Sequence, residues 1–371
     1  MKEDATFYYI IWLIVLILAL TERIRKKTFN NTVIAAVFMV AAVIVACRVE
    51  VGADWSNYKF LFYNGYEEVG NREASLIEPL FMLVRNIFYY LGFTHAIFFF
   101  VLSLVSLFAI RKAADLFGVK YFMTVFLVYY SMFFLNYQFN IVRHGVMASF
   151  IWLSFAYKSK GEIKAAIVSI IVALGFHITA LLFIPCLFLL DRKFSKPFVF
   201  FILAVSYLAF FLHFSERIIS LFPILSVLDR TATYVNSERY TRDVGLTIGS
   251  QIQVFLFVFL FLKYKILYNS GSGFRVLLNA VLFYFLLLCL LNSFSAIVSR
   301  VCNVFFMTMV FLLPLFLELL RKQINRIAAV SLVVCYMLLT LPKTFSIKED
   351  GYSEMLPYRF EIMQLIEKNA K

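Results

Sequence analysis

Residues 96–136 read AIFFFVLSLVSLFAI (96–110), RKAADLFGVK (111–120) and YFMTVFLVYYSMFFLN (121–136), and this stretch determines the fold class. Two long apolar runs flank a short connection that carries three basic residues and one acidic residue. Such runs are typical of helices that cross a lipid bilayer, and the connection has the charge of a cytoplasmic loop. The same alternation recurs along the whole chain, which predicts an all-α polytopic membrane protein.

The composition supports this fold class and excludes others. Of the 371 residues, 63% are hydrophobic and 15% are charged, whereas a soluble domain is usually about half apolar and a quarter charged. A soluble globular protein, a disordered chain and a nucleic-acid-binding domain are therefore excluded. The five cysteines lie in or beside apolar segments without a C-x-x-C pair, so we expect neither a disulfide framework nor a zinc site.

Twelve apolar segments predict about twelve transmembrane helices, although several are shorter than the roughly 20 residues that a bilayer requires. The segments are 7–20, 32–47, 96–110, 121–136, 144–157, 165–176, 178–190, 197–213, 250–266, 276–292, 301–317 and 327–341. Residues 79–93 are also apolar, but a full crossing there would move the basic connection 111–120 to the opposite side. We therefore expect an interfacial or re-entrant helix on the outer face, which also accommodates Arg85 and Asn86.

The charged residues orient these segments. Six short connections contain 19 of the 35 Lys and Arg residues but only 5 of the 22 Asp and Glu residues; they are 21–28, 111–120, 158–164, 191–196, 263–275 and 318–326. Short basic loops remain in the cytoplasm, so both termini are expected outside. Because the rest of the chain is nearly neutral, the net charge of +13 reflects topology and does not require a nucleic-acid partner.

We expect a single transmembrane domain over 1–371 with three longer extracytoplasmic parts. These are an outer loop at 48–95 that contains the interfacial helix, an arginine-rich loop at 214–249, and a C-terminal tail at 342–371. The sequence contains no convincing internal repeat, which disfavours an inverted-repeat transporter.

Arginine is the most informative polar residue on the predicted outer side. The inner connections contain 12 Lys and 7 Arg, whereas the outer connections between the first and last spans contain nine Arg and one Lys. Guanidinium groups are preferred where phosphate or carboxylate is bound through two parallel hydrogen bonds. An outer cavity lined by arginines would suit a diphosphate; the candidates are Arg85, Arg143, Arg217, Arg239 and Arg300. Alternatively, arginines pair with outer acids, but Arg143 and Arg300 have few acids near them in sequence.

Two carboxylates and one histidine are candidate catalytic groups. Glu78 precedes Pro79 at the start of the interfacial helix, where it is either a helix cap or a general base for an acceptor hydroxyl. Asp54 follows a span and, with Tyr58, forms either a sugar-facing cluster or part of an aromatic belt. His177 lies at the tip of an outward hairpin, where an imidazole is either an interfacial residue or a proton shuttle.

Several chemistries have no counterpart in the sequence. It contains no P-loop, Rossmann glycine fingerprint, G-x-S-x-G or H-E-x-x-H motif, and no spacing typical of metal ligands. We therefore expect no cofactor and no metal site. Arginines, rather than a metal ion, would then neutralise the negative charge of a substrate.

Five short motifs, taken in order, resemble the EpsG family of Wzy-like exopolysaccharide and O-antigen repeat-unit polymerases. They are G-A-D-W-S-N-Y (52–58), E-P-L-F (78–81), R-H-G-V-M-A (143–148), F-H-I-T-A-L (176–181) followed by Pro185, and P-Y-R-F (357–360). The resemblance covers nearly the whole chain. The family more often has Gln at the position of His144, and usually Tyr at the position of Trp55.

This resemblance implies a GT-C-like, membrane-embedded glycosyltransferase in the bacterial cytoplasmic (inner) membrane, with its active site facing the periplasm or exterior. It implies undecaprenyl-pyrophosphate-linked oligosaccharides as substrates, and the lipid bilayer and a chain-length regulator protein as partners. The growing glycan would move from its lipid pyrophosphate to the non-reducing end of the next repeat unit.

The resemblance also suggests roles for individual residues. Arg143 and Arg300, with Arg217 or Arg239, would bind pyrophosphate. Glu78, or else Asp54, would be the base, and His177 would lie beside it. Arg85, His144 and Tyr58 would contribute to substrate binding.

Three other functions remain open. An O-antigen-ligase-like transferase shares the fold type and the arginine chemistry. A flippase or transporter of lipid-linked oligosaccharides needs charged groups through both leaflets, whereas the polar groups here concentrate in the outer half. A structural scaffold leaves the nine outer arginines unexplained.

Overall fold

The computed structural model describes residues 4–65, 78–214, 245–294, 298–345 and 353–360, and the regular elements in those ranges are helical. The α-helices of the described residues are, in chain order, α1 (Thr6–Arg25), α2 (Asn31–Ala46), α3 (Trp55–Asn64), α4 (Pro79–Tyr90), α5 (His95–Phe117), α6 (Phe122–Tyr129), α7 (Val142–Ser159), α8 (Ile163–Phe176), α9 (Cys186–Leu189), α10 (Lys196–Phe211), α11 (Ile248–Lys263), α12 (Lys265–Ser270), α13 (Ser272–Leu290), α14 (Asn303–Phe306), α15 (Met309–Leu319) and α16 (Gln323–Thr340).

Five helical stretches of the described residues are long and apolar enough to cross a membrane. They are Thr6–Arg25, His95–Phe117, Ser272–Leu290, Arg300–Leu319 and Gln323–Phe345. Six further apolar helical stretches in the same described ranges are 10–17 residues long. The chain is therefore an all-helical polytopic membrane protein, as predicted, while the count of twelve spans and the GT-C architecture stay predictions.

One predicted span is not a regular helix. Residues Ile178–Phe183 form a 3-10 helix, and α-helical structure resumes only in the four residues of α9, after Pro185. Proline lacks a backbone N–H and disfavours the helical conformation of the residue before it. The segment predicted over 178–190 is therefore helical, but it consists of a 3-10 helix and a short α-helix and not of one continuous α-helix.

The chain divides into two compact units, Met1–Phe183 with Leu313–Lys371 (unit 1) and Ile184–Leu312 (unit 2). Two compact units are compatible with one transmembrane domain, so the expected single domain over 1–371 stays a prediction. Each unit is described by itself.

Three of the six basic connections meet at one end of unit 1, which we call the basic end. Glu22 and Glu318 each accept two backbone N–H groups there; the donors are Phe29 and Met123 for Glu22, both at 2.9 Å, and Lys120 and Tyr121 for Glu318, at 3.0 and 3.3 Å. These bonds join the connections 21–28, 111–120 and 318–326, which the positive-inside rule assigns to one side of the membrane.

The opposite end of unit 1, defined by residues 48–54 and 353–360, is called the tail end. The N–H of Gly52 donates to the carbonyl of Glu354 at 2.7 Å, and the hydroxyl of Tyr8 in α1 donates to a carbonyl of the tail at 2.7 Å. Since α1 is 20 residues, or about 30 Å, long, it separates the two ends. The start of α1, the loop after α2 and the C-terminal tail thus share one end, and which end faces outside stays a prediction.

Helix α4 begins and ends at the tail end. Its 12 residues measure about 18 Å, well short of the roughly 30 Å hydrocarbon core of a bilayer. It passes so close to α8 that a Cβ on Gly175 would clash with the Cβ of Leu80. Phe81 and Arg85 are buried, whereas Leu83 and the other face of the helix are exposed. This geometry is compatible with the expected interfacial helix, which stays a prediction.

Two π-helical turns, Tyr130–Phe134 and Asn136–Asn140, continue α6 towards the tail end. A Cβ on Gly145 would lie 2.5 Å from the carbonyl oxygen of Tyr137, so the start of α7 packs directly against this backbone. The side chain of Asn140 accepts the N–H of Ala53 at 2.7 Å. Such π turns often occur at functional sites, and here they join α7 to the loop after α2.

In unit 2, the basic connections 191–196 and 263–275 also meet. Arg275 donates to the carboxylate of Asp191 from Nη2 at 2.7 Å and from Nε at 3.1 Å. Asn279 of α13 donates to the carbonyls of Leu190 and Arg192 at 2.7 and 2.8 Å. These side chains fix the connection 191–196 against α13.

Candidate active site

Glu78 is a buried carboxylate at the tail end of unit 1, immediately before Pro79, the first residue of α4. Its side chain makes no capping hydrogen bond to α4. One carboxylate oxygen instead accepts a hydrogen bond from the Arg143 guanidinium in an ion pair, and the other lies 3.9 Å from Nε2 of His177. The interpretation of Glu78 as a helix cap is therefore wrong, because the carboxylate lies between a cation and an imidazole.

Helix α7 holds Arg143 at its second residue, just beyond the π turns. The hydroxyl of Tyr58 lies 3.5 Å from both the backbone nitrogen and Nε of Arg143. The guanidinium carbon is 5.5 Å from the ring centres of Tyr58 and Phe81, and aromatic faces attract cations. The sequence predicted few acids around Arg143, but the structure brings Glu78 to it from 65 residues earlier in the chain.

His177 follows the last residue of α8 and contacts both the carboxylate and a second imidazole. Its Nδ1 accepts the backbone N–H of Thr179 at 3.3 Å and lies 2.9 Å from the Thr179 hydroxyl. With Nδ1 accepting, the neutral ring carries its proton on Nε2, the nitrogen nearest Glu78. The ring of buried His144 lies 5.2 Å away and nearly perpendicular, at 89°. The two predicted histidines therefore belong to the same cluster as Glu78.

Tyr58 and Asp54 complete the predicted residues that α3 brings to this region. Asp54 immediately precedes α3, and its carbonyl accepts the N–H of Tyr58 at 2.9 Å. Burial raises the pKa of the Tyr58 phenol, so this hydroxyl stays protonated at neutral pH. Trp55 lies one residue from Asp54, and the ammonium of Lys59 is 4.9 Å from its ring centre. Asp54 is half-buried and lies one helical turn before Tyr58, which contacts Arg143. Asp54 therefore lies beside the cluster.

The other predicted arginines are placed differently. Arg85 lies seven residues after Glu78 along α4, about 10 Å in rise, and its guanidinium carbon is 4.6 Å from the ring centre of Tyr89. Its Nη1 donates to Asn86 at 2.9 Å. Arg300 lies in a π turn, Val298–Cys302, of unit 2. Arg217 and Arg239 lie outside the described residues.

Arg48 is a structural residue that the sequence did not single out. It is 1% exposed, lies 4.8 and 4.9 Å from the ring centres of Phe99 and Phe139, and donates to the backbone carbonyls of Val45, Val51 and Phe139. Burial lowers the pKa of Arg48 to about 10, so it remains a cation at neutral pH. It joins the end of α2 to the π turns and thereby fixes the loop that carries Asp54. The only sequence signal was its position at the end of an apolar span.

The cluster formed by Glu78, Arg143, His144, His177 and Tyr58 combines a carboxylate, a cation and two imidazoles at one end of a helical bundle. Such a set can remove a proton from a hydroxyl and can bind an anionic group. Among the residues that the structure describes, no three His, Cys, Asp or Glu side chains lie close enough together to share a metal ion.

One comparison with known proteins gives a match. The family model described as the EpsG family matches residues 31–360, which include every described member of the cluster and Arg300. Neither a curated protein nor a solved structure matches the chain.

Proposed function

The chain belongs to the EpsG family of Wzy-like polymerases, and from this premise we propose that it polymerises lipid-linked glycan repeat units. The proposed reaction moves the growing glycan from undecaprenyl pyrophosphate to the non-reducing-end hydroxyl of the next undecaprenyl-pyrophosphate-linked unit. It takes place at the outer leaflet of the bacterial cytoplasmic membrane. The observation that carries the proposal is the contact of one buried carboxylate, Glu78, with both Arg143 and His177.

The reaction requires a base and a cation. As the bond between the acceptor oxygen and the anomeric carbon of the donor forms, the bond from that carbon to the pyrophosphate oxygen breaks. The acceptor proton moves to Glu78, or to His177 beside it, and undecaprenyl pyrophosphate leaves. Arg143 is the proposed cation for the leaving group, with Arg300, Arg217 and Arg239 as further candidates.

The ion pair suggests how donor binding activates the base. A carboxylate that is bound by a guanidinium is a weak base, because the cation stabilises its ionised form. Pyrophosphate offers Arg143 a more highly charged partner. When the guanidinium turns to the donor, Glu78 loses part of this stabilisation and accepts a proton more readily. The carboxylate of Glu78 is therefore a stronger base when the donor is bound than when it is absent.

Helix α4 supports access for lipid-linked substrates. Its buried face carries Phe81 against the bundle, while Leu83, Ile87 and Tyr90 are exposed along the helix that begins at Glu78. Exposed apolar side chains on an interfacial helix contact the boundary between headgroups and acyl chains. A substrate that remains anchored by its polyprenyl tail would therefore reach Glu78 along the membrane surface.

The decisive experiment supplies the purified full chain with an undecaprenyl-pyrophosphate-linked repeat unit and separates the products by gel electrophoresis. A polymerase produces a ladder that extends with time. A ligase-like transferase produces one transfer to a different acceptor, and a flippase changes only the leaflet that the substrate occupies. Either of the last two outcomes would refute the polymerase proposal.

A further inference from the structure

Unit 2 contains a cavity of about 450 Å³ between the connections 191–196 and 263–275. Three lysines line it, Lys193, Lys196 and Lys265, and none of the described residues that line it is acidic. Phe261 and Tyr268 are also part of the lining. The cavity is therefore strongly cationic and has an aromatic wall.

The nearest acid in sequence does not neutralise these lysines. Asp191 pairs with Arg275 and also accepts the hydroxyl of Ser272 at 2.5 Å. In the described part of the chain, no carboxylate forms an ion pair with any of the three ammonium groups. Their charge is thus available to an anion inside the cavity.

The walls of the cavity are fixed before any ligand binds. The hydroxyl of Tyr268 accepts the N–H of Phe194 at 3.0 Å and donates to Asn279 of α13 at 2.9 Å. Ser195 caps α10 by accepting the N–H of Phe198, so a helix N-terminus also adjoins the lysines. Helix N-termini favour anions because of their partial positive charge.

Exposed apolar side chains lie next to this polar cavity. Phe198 and Phe201 of α10 are 43% and 62% exposed, and Leu262 and Ile266 beside Lys265 are 42% and 84% exposed. An ammonium-lined cavity with adjoining apolar surface matches a ligand that has a phosphate headgroup and acyl chains. A soluble phosphate compound would use the lysines but would leave the apolar side chains uncovered.

We infer that this cavity binds the phosphate headgroup of an anionic phospholipid, whose acyl chains lie along α10 and α12. The positive-inside rule assigns the basic connections that form it to the cytoplasmic side, and basic pockets between membrane helices on that side are suited to such headgroups. The inference uses only residues of unit 2 and no residue proposed for glycan transfer. It therefore holds or fails independently of the proposed function.

The test reconstitutes the full chain in phosphatidylcholine nanodiscs that contain phosphatidylglycerol, and counts retained phosphatidylglycerol by native mass spectrometry. The variant Lys193→Gln with Lys196→Gln and Lys265→Gln should retain at least about fivefold less of this lipid. The matched control is Lys158→Gln with Lys160→Gln and Lys164→Gln, which removes the same charge from another basic connection. It should retain the lipid as the unsubstituted protein does. Equal loss in both variants would overturn the inference, because diffuse charge alone would then explain retention.

A second arm separates a lipid from a soluble ligand and does not depend on the folding of the glutamine variant. Replacing the same three lysines by Arg keeps the charge and should preserve lipid retention. Phe201→Gln with Ile266→Gln keeps every lysine and should reduce it, because the acyl chains lose their apolar contacts. If this double variant retains the lipid fully and excess inorganic phosphate displaces it, the ligand is a soluble phosphate compound and the lipid inference is wrong.

Discussion

The two ends of unit 1 both place glutamates next to the start of a helix, but they use them differently. At the basic end, Glu22 and Glu318 accept backbone N–H groups at and just before the first turn of α6. At the tail end, Glu78 precedes α4 without capping it and contacts Arg143 and His177 instead. A carboxylate bonded to the backbone stabilises the fold, whereas one held between ionisable side chains can change its protonation during a reaction.

The local sequence explains part of this difference. Pro79 is the first residue of α4 and has no N–H to donate. The start of α6 has ordinary residues, and its N–H groups at Tyr121 and Met123 require acceptors. Glu22 and Glu318 supply these acceptors from two other helices.

The orientation of the two ends in the membrane has the largest expected effect, because a cysteine at each end either reacts with an outside reagent or does not. Thr94 at the tail end and Lys120 at the basic end are both exposed. In a background without the five native cysteines, Thr94→Cys should react with an impermeant thiol reagent in intact cells. Lys120→Cys should react only after permeabilisation. The reverse pattern would place the Glu78 cluster in the cytoplasm and would contradict an outer-leaflet reaction.

Removing the charge of Glu78 should have the largest effect on catalysis. Glu78→Gln keeps the size of the side chain but removes the base, so transfer should slow on the order of 10²-fold or more. Because Gln also breaks the buried ion pair with Arg143, some loss of melting temperature is expected, and the transfer rate is therefore compared per folded molecule. The control is Glu50→Gln, an exposed glutamate at the same end that pairs with Arg359. A normal product ladder from Glu78→Gln would reject the assignment of this residue as the base.

A glutamate-to-glutamine substitution at the basic end should instead lower the stability of the protein and leave the transfer rate unchanged. Glu22 is 0% exposed, and its oxygens accept two backbone N–H groups. In Glu22→Gln an amide N–H₂ faces one of these donors, which should lower the free energy of unfolding by about 2 kcal/mol. The transfer rate per folded molecule should not change. The melting temperatures of Glu22→Gln and of the exposed Glu162→Gln are measured together. Equal melting temperatures would contradict the structural role of Glu22.

A smaller effect is expected for the cation. Arg143→Lys keeps the charge but loses the planar two-pronged contact with pyrophosphate, so kcat/KM should fall about tenfold, or 1.4 kcal/mol in the transition state. Arg359→Lys, at an exposed arginine of the tail end, is the matched control and should be neutral. Activity of Arg143→Lys equal to that of the control would show that this guanidinium does not bind the leaving group.

The smallest expected effect is that of metal removal. If arginines neutralise the pyrophosphate, excess chelator should leave the product ladder unchanged. A loss of activity that Mg²⁺ or Mn²⁺ restores would contradict this expectation, and Glu78 and Asp54 would then be reconsidered as metal ligands.

The sequence by itself determined the properties that depend on short segments. The long apolar runs predicted helices, because a bilayer offers the backbone no hydrogen-bond partners and a helix satisfies its N–H and C=O groups within the segment. The six basic connections predicted which loops share a side, and three of them meet at the basic end. Residue type and position near helix ends also identified Glu78, Arg143 and His177 as candidates. The interruptions of the predicted helices at 178–190, 250–266 and 301–317 were missed, although Pro185 is a visible local signal for the first of them.

Only the tertiary structure decided which of these residues act together. The partners Glu78 and Arg143 are 65 residues apart, and their contact depends on how α4 crosses α8 at Gly175 and how α7 packs on the π turns at Gly145. Arg85 and Arg143 were both candidate outer arginines in the sequence, yet one stacks on Tyr89 and the other pairs with Glu78. Charge and hydropathy are properties of each residue, whereas a pairing is a property of the packed helices, because side chains reach only a few ångströms from the backbone that holds them.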